Sequence, residues 1–288
     1  MTSTKQTRLR YTPSHPLQDQ LLKLCHSVPL RRHVNRLGPK LWTEYQRVAL
    51  VTLFRRSRRS LRDFIAQLPE LRWPSWLQLR ELPSKSTLHA WCQRFTTSFA
   101  RLLNKLLLHK EEPHVLAIDA TGVDSWQRSR HYERRVGEAP LPYAKLDLLV
   151  DAERLLIHDV VGARSRFRRT RLRDALILAN KGYDCEWLHA LAVEKGNRLF
   201  APVRESARPR PRGAHRRRCT AGHPAYHQRN SVESVNHSLK RRFLPSLRSK
   251  LAHMKKRETA WHVLNYNLER LRLLANAIAR LLAWLSQT

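Results

Sequence analysis

Between residues 114 and 162 the chain holds four short, largely aliphatic segments separated by polar turns. They are HVLAIDATGV (114–123), SRHYERRV (129–136), YAKLDLLVDAE (143–153) and RLLIHDVVG (154–162). Such segments read as strands of an antiparallel kind. LILANKGYDCEWLHALAVEKG (176–196) then reads as a buried strand, a turn at Gly182 and a helix, and NRLFAPVR as another short strand. Helical patterns flank this block on both sides. A sheet in the middle third with helices before and after it makes the chain mixed α/β.

Residues 1–41 are a polar, proline-punctuated arm with one helical patch at 18–28. At Trp42 the pattern changes, and 42–110 reads as a helical module. WTEYQRVALVTLFRRS places Val48, Leu50, Val51, Leu53 and Phe54 on a helix-compatible apolar face. Ser60 stands three residues before Asp63 in a capping-box-like spacing, and Ser84 or Ser86 caps a helix that carries Leu88, Trp91 and Phe95. A further helix covers 98–110. Short capped helices, the last of them basic, resemble a helix-turn-helix module; a small all-helical packing or dimerisation domain fits the same pattern. From Ser231 the chain is nearly all helical. Its final stretch carries an apolar stripe at Val263, Tyr266, Leu271, Leu274, Ile278 and Leu281–Leu282, read as core.

Charge narrows the function. Fifty-five Lys and Arg against 23 Asp and Glu give a formal charge of +32, spread from end to end. A chain this basic repels itself unless a polyanion is near, and nucleic acid is the expected partner. Hydrophobic residues at 42% argue against wholesale disorder. A ribosomal or chromatin-packing protein shares that charge but does not need carboxylates gathered in a site. The four cysteines have no paired spacing, which points to a reducing compartment. No apolar run is long enough for a membrane span, and no leader is expected, so the expected location is cytoplasmic and nucleoid-associated.

Two motifs carry chemistry. Asp119 follows the apolar run VLAI, at a strand end suited to holding a divalent metal; an isolated Asp there also serves as a turn former. In YHQRNSVESVNHSLKRRF, Tyr226, Arg229, Glu233 and Lys240 stand at intervals of three, four and seven residues. On a helix, Glu233 and Lys240 then share a face. A carboxylate among cations that grip phosphate suits phosphoryl transfer on DNA.

With these residues the chain resembles the DDE transposases of prokaryotic insertion sequences, in the branch with the Tyr-Arg-Glu-Lys signature. The likeness rests on AIDATG, NKGYD and the four signature positions, and it covers about 110 to 270. It implies a ribonuclease H-like catalytic domain over 111–288 behind the helix-turn-helix-like module. It also implies metal-dependent cutting and joining of DNA with Mg²⁺ or Mn²⁺. Asp119 and Glu233 would be metal-binding carboxylates, and Tyr226, Arg229, Lys240 and Arg241 would contact DNA. Transposon ends and target are the implied DNA partners, bound by a homodimer. KLDLLVD, with Lys145, and the terminal YNLERL are weaker familial signals.

Two departures accompany the likeness. Asn180 stands where the family has its second catalytic Asp, and an amide offers a metal no charge. Asp174 and Asp184 are the nearby carboxylates that would have to substitute. Only SRFRRTRLRDA separates the fourth strand from this motif, so an element is shortened. A decayed or repurposed copy that binds DNA ends without cutting them is therefore the alternative. His215, Cys219, His223 and His227 recur every four residues, but Gly222 and Pro224 interrupt a zinc-binding helix face. Trp126 or another of the tryptophans could stack on an extruded base, although buried tryptophans are more often core, and nothing in the sequence picks one out. The runs RRSRR (55–59) and RRTRLR (168–173) read as phosphate-contacting or merely solvated faces.

Overall fold

The structure, a computed structural model, describes residues 16–28, 30, 32–33, 40–109, 112–124, 143–161, 172–205 and 212–285. The expected strand at 129–136, Trp126 and residues 168–171 of RRTRLR lie outside them.

Among the described residues six α-helices come first: α1 (Pro16–Ser27), α2 (Glu44–Ser57), α3 (Leu61–Gln67), α4 (Trp73–Trp76), α5 (Lys85–Arg94) and α6 (Thr97–Leu107). Their starts follow local chemistry. Thr43 and Gln46 form a reciprocal capping box on α2, while Ser60, Ser84 and Thr96 each accept the third backbone N–H of their helix. Each cap satisfies a donor that helix geometry leaves free. Val48, Leu50, Val51 and Leu53 of α2 are buried with Leu88 and Trp91 of α5 and Leu103 of α6. Leu17, Leu21 and Leu24 of α1 enter the same core, so a stretch of the polar arm is packed interior.

The sheet follows, with β1 (Val115–Asp124), β2 (Tyr143–Asp151), β3 (Ile157–Val161), β4 (Leu176–Ala179) and β5 (Arg198–Phe200). Its order is β3-β2-β1-β4-β5. β1 pairs antiparallel with β2, and β2 with β3; β4 lies parallel to both β1 and β5. Helix α7 (Glu186–Glu194) connects β4 to β5, the crossover that parallel strands require. Helix α8 (Ala214–Arg218) comes next, then a 3₁₀ segment (Pro224–Asn230), α9 (Ser231–Ser238), a wide π turn (Leu239–Phe243) and the 34-residue α10 (Ala252–Leu285).

The two sheet faces carry different cores. Ala117, Leu148 and Val150 face Val232 and Val235 of α9 and Val263 and Tyr266 of α10. Leu116, Ile118, Leu149 and Ile177 face Leu188 and Ala192 of α7. Because side chains alternate along a strand, Asp119 shares Ala117's face and looks toward α9. Helix α10 ties the halves together, since Trp261, Leu264 and Leu268 belong to the helical core while Val263 and Tyr266 belong to the sheet core.

Three expectations are corrected. The arginine- and proline-rich stretch ESARPRPRGAHRRRC (205–219), whose charge and prolines read as an exposed loop, forms α8 at its end, where the His215 and Arg216 N–H groups donate to the Glu186 carboxylate. The stripe on α10 is core only in its first half. Val263 and Tyr266 are buried, but Ile278 and Leu282 are 59% and 61% exposed because the helix runs past the body of the protein. Asp119 does not end its strand, since β1 continues to Asp124; what ends after Ile118 is the pairing with β4.

Candidate active site

Asp119 and Asn180 become neighbours through strand register. In the parallel β1–β4 pair Ile118 lies beside Ala179, which sets the next residues of the two strands side by side. Asn180 then leaves the sheet and caps a 3₁₀ turn, its Oδ1 accepting the Gly182 N–H at 2.8 Å. That bond fixes which way the amide points. With oxygen committed to the turn, Nδ2 faces Asp119 and donates to its Oδ1 at 2.7 Å. Gly182 is required here, because a Cβ would stand 2.7 Å from Asn180 Oδ1.

Arg229 closes the site from the other side. It lies just before α9, and its guanidinium forks between two carboxylates. Nη2 donates to Asp119 Oδ2 at 2.8 Å and Nη1 to Glu233 Oε1 at 2.6 Å. Arg229 and Glu233 are four residues apart, one turn of helix. The result is a chain of polar contacts from Asn180 through Asp119 and Arg229 to Glu233, drawn from a mid-sheet strand, the end of β4 and α9. Asp119 and Arg229 are nearly buried, their side chains 13% and 15% exposed, whereas Glu233 opens to solvent at 58%. Arg229 Nε and the neighbouring Ser231 Oγ are buried without hydrogen-bond partners.

Asp119, Asn180 and Glu233 thus come together, with Arg229 between them rather than on a separate DNA-facing surface. The other expected contacts sit apart from the chain of polar contacts. The Tyr226 ring packs edge-on against Phe200, with centroids 5.4 Å apart. Lys240 and Arg241 lie in the π turn, where Leu244 N–H donates to Leu239 O at 2.8 Å. The turn widens here from four-residue to five-residue hydrogen bonding.

The divalent metal implied by the transposase resemblance does not fit this arrangement. A hard cation needs anionic oxygen donors pointed at one position. Here a guanidinium stands between the two carboxylates, and the third side chain presents an NH₂ group. Among the described residues no group of three or more His, Cys, Asp or Glu is placed to hold a metal. The nearby carboxylates do not fill the gap. Both oxygens of Asp184 bind Arg216, at 2.6 and 2.7 Å, and one also takes the Arg204 N–H. Burial pushes its carboxyl up, but Arg216 and that N–H outweigh burial and hold it below the usual range. Asp174 lies before β4, at the opposite end of the strand from Asn180. The four zinc candidates are likewise engaged singly. The His215 ring stacks on His189, Cys219 is buried, and His223 and His227 bond to their own turn.

The familial signals in KLDLLVD and YNLERL are structural in part. Asp147 is fully buried and accepts the Tyr183 hydroxyl at 3.1 Å, on the sheet face away from Asp119. Asp151 caps the turn into β3. Lys145 is exposed on β2. Tyr266 donates to Leu155 O, and Asn267 grips the edge strand.

No protein family and no curated protein matches the chain. Among solved structures it is similar to a piggyBac transposase synaptic complex with hairpin DNA. That likeness has 11% identity and a TM-score of 0.42, and it covers 93% of this chain and 76% of the other. A resemblance this slight defines neither the fold nor the chemistry of this chain.

Proposed function

We propose that the chain is, by descent, a DDE-type DNA transposase of an insertion sequence. It binds the ends of a mobile element, and its centre for strand cutting and joining lies at Asp119, Asn180 and Glu233. One observation carries the reading: these three residues, each singled out by its motif, converge through Arg229 on one side of a five-stranded mixed sheet flanked by helices. That architecture is consistent with a ribonuclease H-like domain. A structural polyanion-binding protein has no need to gather two carboxylates this way. In this reading Tyr226, Lys240 and Arg241 contact end DNA, Arg229 meets it at the carboxylates it bridges, the helical module over 42–110 adds affinity, and the chain works as a homodimer on DNA in the nucleoid. Mg²⁺ or Mn²⁺ is the cofactor the resemblance implies. Because the residues as arranged do not fit it, no chemical step is assigned to a metal.

A second reading has its own observation. With Asn180 donating an amide into Asp119, and Arg229 neutralising both carboxylates, the copy holds ends without cutting them. The deciding experiment is cleavage of duplex carrying the element's own ends, with Mg²⁺ or Mn²⁺, by wild type beside Asn180→Asp. Cleavage by wild type establishes a working transposase. Activity only in Asn180→Asp establishes an enzyme silenced at one residue. End binding with no cleavage by either protein establishes the second reading, and absence of end binding sinks both.

A further inference from the structure

A second basic feature stands apart from Asp119. Helix α2 ends at Arg58, whose backbone turns left-handed at φ 54° and carries the chain back past the π turn that follows α9. Two bonds lock the segments together across 183 and 190 residues of sequence. Arg58 Nη1 donates to Arg241 O at 3.3 Å, and Arg248 Nη2 donates to Arg58 O at 2.5 Å. The seam so formed contains a cavity of about 50 Å³ whose lining includes Arg55, Arg58, Arg59 and Arg248 together with Glu258 and His262. Where one water needs about 10–15 Å³, that is room for about three to five oxygen-sized atoms.

Charge is sorted by depth in this seam. The inner arginines have carboxylate partners, Arg55 at 3.5 Å from Glu258 and Arg56 at 2.7 Å from Glu269. At the rim, Arg58, Arg59, Arg241 and Arg248 are exposed, and among the described residues none has a carboxylate partner. Four guanidiniums without carboxylate partners along one seam repel one another unless a polyanion sits between them. Arg58 and Arg248 are pinned at carbonyl oxygens, which leaves other N–H groups of each fork free. Side chains already held in place lose less freedom when they take up phosphate. The π turn continues directly from α9, so Arg241 lies eight residues past Glu233, about 12 Å along the axis. That distance spans roughly three or four phosphates of one DNA strand.

We propose that this seam is a seat for the sugar–phosphate backbone of duplex DNA, gripping the flank beside the Asp119–Glu233 site without reading its sequence. The proposal rests on the DNA-binding part of the proposed function and is independent of whether the copy cleaves. The test is fluorescence-anisotropy binding of a random-sequence duplex over a salt series. Wild type is compared with Arg59→Gln/Arg241→Gln and with a charge-matched control, Lys23→Gln/Arg198→Gln, whose exposed side chains lie on α1 and at the start of β5. The side chains of Arg59 and Arg241 make no described hydrogen bond, so the pair should keep the wild-type melting temperature. The seam pair is expected to weaken binding severalfold and to lower the slope of log K against log salt by about 1.8, at about 0.9 per lost phosphate contact, with the control near wild type. An unchanged slope in the seam pair, or an equal fall in the control, overturns the seat and leaves DNA binding standing. Failure of wild type to bind duplex at all overturns the DNA reading with it.

Discussion

Asn180 shows how one side chain changes what a site can hold. As an amide it serves two neighbours at once, accepting from Gly182 N–H and donating to Asp119. A carboxylate in its place keeps the first bond and loses the second, setting two anions within hydrogen-bond distance. Asn180→Asp is therefore expected to cost about 1–3 kcal/mol at neutral pH, the order of an unmet buried polar group. Because two like carboxylates resist ionising together, the cost should shrink as pH falls. If the new pair turns the site into one a cation fits, millimolar Mg²⁺ should raise the melting temperature of Asn180→Asp and leave wild type unmoved. Thermal melts with and without the cation decide this, and an equal response in both proteins refutes the misfit between the wild-type site and a metal.

At the scale of elements, α10 holds the edge of the sheet through side-chain amides as well as apolar contacts. Asn267 Oδ1 accepts the Ile157 N–H at 2.9 Å, and Nδ2 donates to Ile157 O at 2.8 Å and to Asn104 Oδ1 at 2.7 Å. The side chain imitates a neighbouring strand at the start of β3 and joins that edge to α6. Asn267→Ala should cost about 2–4 kcal/mol, since it leaves a buried N–H and parts of two acceptors unmet at about 1–3 kcal/mol each. Denaturant unfolding measures this directly. A loss below about 0.5 kcal/mol, the range of ordinary surface changes, would show that water replaces the amide. The same helix carries His262 and Glu258 into the seam, so one element serves the sheet edge, the helical core and the basic junction.

For the whole molecule, a formal charge of +32 makes the few buried carboxylates important to stability. Glu258 accepts the N–H groups of Arg248 and Ser249 and stands 3.5 Å from Arg55. Burial pushes its carboxyl up, but the His262 ring, Arg55 and the Ser249 contact outweigh burial and bring it from 4.5 down to about 2. A depressed carboxylate stabilises fully above its unfolded value and loses that contribution as pH falls toward its folded one. Glu258 should therefore supply about 3 kcal/mol near neutrality that disappears between about 4.5 and 2. Glu258→Gln should be less stable than wild type at neutral pH and show a flatter loss across that window, as followed by melting temperature against pH. Parallel profiles for the two proteins would remove Glu258 as the cause.

Local features of the fold were legible in the residues. Ser60 and Ser84 lie where a side-chain oxygen meets the first free N–H groups of a helix. The aliphatic runs at 114–123, 143–153 and 154–162 became β1, β2 and β3 because residues two apart share a face. Asp119, Asn180 and Glu233 stood out because their motifs are local too. What tertiary structure decided is everything that depends on distant segments meeting. Parallel register set Asn180 against Asp119, and the Gly182 turn aimed its amide rather than its oxygen at the carboxylate. The approach of α9 to β1 placed Arg229 between two anions, where spacing alone had suggested a phosphate contact. The chain widened into a π turn after α9, and the end of α2 met Arg241 and Arg248 there, so the RRSRR run joined cations far along the chain. Sequence spacing specifies which side chains share a helix or strand face; only packing specifies which charges end up neutralised and which remain for a partner.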